Sequence, residues 1–195
     1  IAGAAGGEVT GSAYYVQTDK ACVLVDCGQF QGTRKSESLN RSKPPSRIKL
    51  DAVLITHAHL DHTGRLPVLA KRGQRVPVYA TEATIEMTAL ILRDSAHILA
   101  GDVARKNREL ARAGEPPVAP LYTPEDVEDV IGWMQAVPYH EPVPVAPGIQ
   151  AVWAEAGHML GSASIKLIVE EDGRQKMVVF SGDLGPRSAP ILKTY

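Results

Sequence analysis

The 195-residue chain carries 21 Lys or Arg against 22 Asp or Glu, a formal charge of -1, with 44% hydrophobic residues and an isoelectric point near 6.7. This globular composition excludes disordered, collagenous and coiled-coil proteins. With charge near zero there is no global electrostatic case for nucleic acid, so such a substrate has to be argued from a site. No apolar run approaches the roughly 20 residues that cross a bilayer, and no basic-then-apolar leader opens the chain. A soluble, cytoplasmic protein is expected, without a membrane partner.

In chain order, Ala13 to Gln17 and Ala21 to Val25 read as paired strands around a polar turn at Thr18-Asp19-Lys20, followed by a polar loop from Gly28 to Arg47. Cys22 and Cys27, five apart in the strand-like run Ala21 to Cys27, should face opposite sides as buried free thiols rather than pair. Leu50 to Ile55 is a strongly apolar strand, Gly64 to Arg72 a short helix stopped at Gly73, and Val76 to Ala80 another strand.

Ile85, Ala89, Leu92, Ala96 and Leu99 recur at helical spacing behind a Thr81 cap, which predicts a helix from Glu82 to Leu99. Asp102 to Pro120 begins charged and breaks at Gly114 and Pro116-Pro117, a surface excursion. Thr123-Pro124-Glu125-Asp126 has the hydroxyl, proline and acids of a helix start, with Val127, Val130, Ile131 and Met134 as its buried stripe. Ile149 to Ala154, Ala163 to Val169 and Lys176 to Phe180 read as strands, the last two joined by a hairpin at Glu171-Asp172-Gly173. This mixture predicts α/β layers with helices over sheet faces.

The chemistry is concentrated in Leu54-Ile55-Thr56-His57-Ala58-His59-Leu60-Asp61-His62-Thr63-Gly64. A lone histidine is usually a packing or surface residue. Three with an aspartate in six residues, where a buried strand ends, are not explained by packing. His57 and His59, two apart in extended chain, can offer two imidazole nitrogens to one metal, while Asp61 and His62 on the next turn can serve a second. Two more apolar strands end in polar residues: His158 follows Ile149 to Ala154, and Asp183 in Ser181-Gly182-Asp183 follows Met177 to Phe180. Loops from separate strands converging on one sheet edge are a common way to assemble a site. His97, inside a helix, and His140, among prolines, read as structural or exposed.

The run Thr56 to His62 resembles the His-x-His-x-Asp-His signature of the metallo-β-lactamase fold, along the whole chain, with Asp26, His158 and Asp183 at the places of its first, third and fourth motifs. More narrowly, Glu8-Val9-Thr10-Gly11-Ser12, Leu24 to Gly28, His62 to Pro67, Gly157-His158 with Gly161-Ser162-Ala163, and Ser181 to Gly185 are similar to the β-CASP branch. That branch holds RNA-processing nucleases, among them the endonuclease subunit of the cleavage and polyadenylation machinery and its bacterial homologues. The resemblance implies an αββα sandwich, of which residues 1–195 would be the amino-terminal part, cut before the β-CASP insertion and a returning carboxy-terminal segment. It implies His57, His59 and His158 on a first metal, Asp61 and His62 on a second, and Asp183 bridging both. Asp61, His158 and Asp183 would take part in catalysis, and Asp26 would hold the loop and a ligand histidine from behind. The family's further histidine for the second metal lies far downstream and is not among these residues.

Imidazole and carboxylate without thiolate suit zinc, with iron or manganese admissible. Two divalent ions, less two carboxylates and a bridging hydroxide, leave one positive charge for an anionic phosphodiester. Acyl hydrolases on this fold use similar ligands, so it is the β-CASP resemblance that makes zinc-dependent hydrolysis of single-stranded RNA the expected function. Arg65 is a candidate phosphate contact; Arg105, Lys106, Arg108 and Arg112 fit better as a solvated helix face. Rival readings are a thioester or lactam hydrolase on the same fold and a catalytically silent scaffold. An apolar sheet face should also remain for a second copy or for the chain's own downstream half.

Overall fold

Alternating apolar residues at both ends of a polar turn make the first hairpin, β1 (Tyr14–Gln17) against β2 (Cys22–Val25) in antiparallel register. The Thr18 hydroxyl closes the turn by accepting from the Lys20 and Ala21 amides. β3 (Ala52–Leu54), β4 (Val78–Ala80) and β5 (Met134–Ala136) add in parallel to give a five-stranded sheet of order β1-β2-β3-β4-β5. A four-stranded antiparallel sheet follows, β6 (Val143–Ala146), β7 (Ile149–Glu155), β8 (Ala163–Glu171) and β9 (Arg174–Phe180). The helices are α1 (Arg34–Ser38), α2 (Leu60–Thr63), α3 (Leu66–Lys71), α4 (Glu82–Arg112) and α5 (Pro124–Ile131). The structure, a computed structural model, describes residues 10–41, 49–186 and 192, without the Arg34 side chain. Glu8 and Val9 of the first motif, residues 42–48 of the loop and Tyr195 lie outside the described residues.

Side-chain alternation in the first sheet feeds two cores. Cys22, Leu24, Val53, Ile55, Val78 and Ala80 pack against Leu66, Val68 and Leu69 of α3, Leu92 and Ala96 of α4, and Val127 and Val130 of α5. Val23, Val25, Ala52 and Leu54 face Ile149, Ala151, Trp153, Ile165 and Leu167 of the second sheet. Fully buried side chains of this size each contribute about 1.5–3 kcal/mol. The buried Trp153 also reaches between the sheets, its indole N–H donating to the Ile55 carbonyl at 3.1 Å. It thereby ties β7 to the strand end that carries the histidines. Among the described residues helices cover the first sheet only, so three of the four expected layers are present.

Several expectations need correction. The Gly28 to Arg47 loop contains α1, capped by the Thr33 hydroxyl, and a 3-10 turn at Leu39–Arg41. The helix expected from Gly64 to Arg72 is present as α3, and a further short helix, α2, precedes it from Leu60. α4 runs 13 residues beyond Leu99, because nothing breaks it before Gly114 at φ +71° and its exposed end carries Asp102–Arg105 and Lys106–Glu109 pairs. Met134 belongs to β5 rather than to α5, which stops at Gly132. β5 and β6 were not legible; β6 includes Pro144, tolerated on an edge strand. Cys22 and Cys27 are free and buried, yet both join the helix-side core. Asp26 at φ +57° breaks the strand alternation that separated them. The hairpin at Asp172-Gly173 stands, with φ values of +52° and +69°.

Candidate metal centre

The site sits where β2, β3, β7 and β9 end. β3 delivers Thr56 and His57 directly, and the chain then turns through His59, the N-cap position of α2, into Asp61 and His62. This turn is sewn to the loop after β2, with Cys27 N donating to His62 O (2.7 Å) and Gln29 N to Leu60 O (2.8 Å), and to the chain before β1, with Ser12 N donating to Asp61 O (2.9 Å). A Cβ on Gly28 would lie 1.6 Å from the Asp61 carbonyl oxygen, so only glycine lets the two loops meet.

Asp26 is the centre of the buried side. It is 1% exposed, accepts from Thr56 N at 2.9 Å and from the Thr56 hydroxyl, and pairs with His62 Nδ1 at 2.8 Å. The Thr56 hydroxyl has one proton, directed at this carboxylate, so it accepts from His57 Nδ1 at 3.0 Å. Both rings then carry their proton on Nδ1 and present a bare Nε2 to the same space. His57 Nε2 is buried and has no hydrogen-bond partner among the described residues. Burial, followed by the neighbouring His62, His59 and His158, pushes the His57 pKa down to about 2, which keeps that lone pair available. His62 moves the other way: burial opposes its charge, but the Asp26 hydrogen bond and charge outweigh it and raise the pKa.

The other side is open. His158 Nε2 stands 3.1 Å from His59 Nδ1, with burial lowering the His158 pKa. Asp183, its side chain 47% exposed, has Oδ2 at 3.6 Å from His158 Nε2 and 3.8 Å from His57 Nε2. Its Oδ1 is 3.5 Å from His62 Nε2, which in turn lies 3.9 Å from Asp61 Oδ2. One donor atom from each of His57, His59, His158 and Asp183 falls within 4.8 Å of the others, a spread suited to one ion. All six expected ligands are therefore brought together, and Asp183 turns one oxygen toward each group.

Three residues of the site escaped sequence reasoning. Thr56 was quoted only as part of the cluster, and Trp153 only as part of a strand. Ser162 was read as a small residue, yet its hydroxyl accepts from the His158 and Met159 amides at 3.0 and 3.1 Å. Arg65 packs its guanidinium over the Phe30 ring, 5.5 Å from the centroid. Arg105, Lys106, Arg108 and Arg112 lie on the exposed second half of α4 and His97 on its exposed surface, as does His140 on its loop.

A family model described as the metallo-beta-lactamase superfamily matches residues 6–160. The chain belongs to that superfamily. Among relatives of this metallo-beta-lactamase chain, Ribonuclease TTHA0252 of Thermus thermophilus is 37% identical over 188 residues, which are 95% of this chain and 37% of the relative. Transcription termination factor FttA of Cenarchaeum symbiosum is 38% identical over 181 residues, 91% of this chain and 26% of that protein. The chain thus spans only 37% and 26% of the lengths of these two relatives. A solved B3 metallo-beta-lactamase with an active-site glutamic acid superposes with a TM-score of 0.53 at 21% identity, over 95% of this chain and 61% of that one. The Cronobacter sakazakii enzyme with a HARLDQ motif gives 0.53 at 16%, over 95% and 57%. These two support the fold, α/β of metallo-beta-lactamase type. No helix among the described residues is long and apolar enough to cross a membrane.

Proposed function

We propose that residues 1–195 are the amino-terminal part of the metallo-β-lactamase domain of a β-CASP-type ribonuclease, a cytoplasmic protein that hydrolyses phosphodiesters of single-stranded RNA with two zinc ions. Relatives named as a ribonuclease and as a termination factor, matched over nearly the whole chain, support the substrate class. The single observation that carries the reading is the buried, unpartnered His57 Nε2, converging with His59, His158 and Asp183. A buried acceptor without a donor costs about 1–3 kcal/mol, and a divalent cation is what this set of neutral nitrogens and a carboxylate fits.

His57, His59 and His158 would hold one ion, Asp61 and His62 the other, with Asp183 on both. Divalent metal there supplies positive charge for an anionic phosphodiester and acidifies water near neutral pH. The chain's own contribution is positioning. Asp26 fixes the His62 ring directly, and Thr56 carries its hold on to His57. The exposed carboxylate of Asp183 and the partly exposed Asp61 and His158 leave a side from which a polynucleotide can approach.

The downstream β-CASP domain and returning segment belong to the same reading. β9 supports it: Met177 and Val179 are 69% and 65% exposed on one face, and Val178 is 40% exposed on the other. Apolar on both faces from Met177 to Phe180, and with no further strand beside it among the described residues, β9 reads as a central strand. The downstream part of the protein, rather than a second copy, is the cover we assign it. The test is cleavage of labelled single-stranded RNA by the full-length protein. Metal-dependent cleavage abolished by His59→Ala is expected; turnover of a thioester or a β-lactam with RNA left intact would overturn the reading.

A further inference from the structure

The His158 loop is held from outside the cluster. Gly161, at φ +82°, offers its carbonyl to two hydroxyls of α4, Thr81 Oγ1 at 2.7 Å and Thr84 Oγ1 at 2.8 Å. A carbonyl oxygen has two lone pairs, and both are used here. Thr81 is 3% exposed and Thr84 fully buried. The approach is close enough that a Cβ on Gly161 would lie 2.4 Å from Thr84 N and 2.6 Å from Thr84 Oγ1. One residue on, the Ser162 hydroxyl accepts from the His158 and Met159 amides, and the Tyr139 hydroxyl donates to the Ser162 carbonyl at 3.2 Å. The chain of contacts therefore runs from the first turn of α4 through Gly161 and Ser162 to the backbone of His158.

We propose that Thr81 and Thr84 are positioning residues for His158, a latch that holds its imidazole within reach of His59 and Asp183. The inference rests on His158 being a metal ligand, as set out above. His57 and His62 have Asp26 and Thr56 behind their rings. No hydrogen bond to the far ring nitrogen of His158 is seen among the described residues, so its aim depends on where the loop is pinned. Thr81 is also the α4 cap, accepting from Thr84 N at 3.3 Å, so its loss would disturb the helix as well. Thr84 is the cleaner probe. Thr88, one turn further along the same helix, supplies a matched control: it is equally buried, and its hydroxyl has no partner among the described residues.

The experiment is zinc affinity of full-length protein stripped by a chelator, read by competition with a chromophoric chelator, for wild type, Thr84→Val, Thr84→Ser, Thr88→Val and His158→Ala. Removing a group that orients a metal ligand typically weakens binding about 10- to 100-fold, and that loss is expected for Thr84→Val. Thr84→Ser should restore wild-type affinity, and Thr88→Val should retain it. Thermal unfolding of the metal-free variants separates folding from affinity, and Thr84→Ala lacks the same hydroxyl should the valine variant not fold. Equal affinity of Thr84→Val and Thr88→Val, with His158→Ala weakened, would overturn the latch alone. Unchanged affinity in His158→Ala would overturn the ligand assignment and the latch with it.

Discussion

His57 and His62, 0% and 5% exposed, are fixed by side chains rooted in the first sheet, while His59, His158 and Asp183 stand on open loops around them. On the buried side, one carboxylate, Asp26, orders a threonine and two imidazoles. On the open side His158 stands 3.1 Å from His59 and 3.6 Å from Asp183 without a shared anchor. The difference teaches that rigidity and access are divided between the two halves: one is preorganised by the fold, and the other is open to solvent.

The comparison can be broken most forcefully at Asp26. Asp26→Ala removes the acceptor of His62 Nδ1 and of Thr56 N. It should destabilise the protein by about 3–5 kcal/mol, read by chemical denaturation. Asp183→Asn lies at the other extreme. It should lower RNA cleavage by the full-length protein about 10²- to 10³-fold, read as single-turnover rates, while the stability of the metal-free protein stays within roughly 0.5 kcal/mol because the side chain is half exposed. A large stability loss in Asp183→Asn, or none in Asp26→Ala, would erase the distinction.

Thr56→Val sharpens it. The shape is kept, but the hydroxyl that joins Asp26 to His57 is lost, and a cost of about 1–3 kcal/mol in stability is expected. The smallest effect belongs to β9. Met177→Lys with Val179→Lys should change the stability of the 195-residue chain by no more than about 0.5 kcal/mol, and cost more in the full-length protein, where we assign this face a cover. Equal small effects in both would remove that assignment.

The sequence exposed the residues that converge at the site better than those that support them. His57, His59, Asp61 and His62 crowd into six residues, and His158 and Asp183 each follow an apolar strand, so local pattern sufficed. Thr56 and Trp153 were visible only as members of a cluster and a strand; their roles are contacts across 30 and 98 residues, and spacing carries no trace of such pairs. The same limit explains the elements. α5 was readable because its capping box is local, whereas β5 and β6 take their form from neighbouring strands. The two cysteines were misassigned to opposite faces because a positive φ at Asp26, imposed by its three-way hydrogen bonding, has no signature in alternation.

The most direct test of the central claim, that the buried and open halves together hold divalent metal, is elemental analysis of the full-length protein purified without chelator. The account predicts two zinc ions per chain, with metal lost from His57→Ala and from Asp183→Asn. A wild-type protein that is metal-free and refuses added zinc would contradict it.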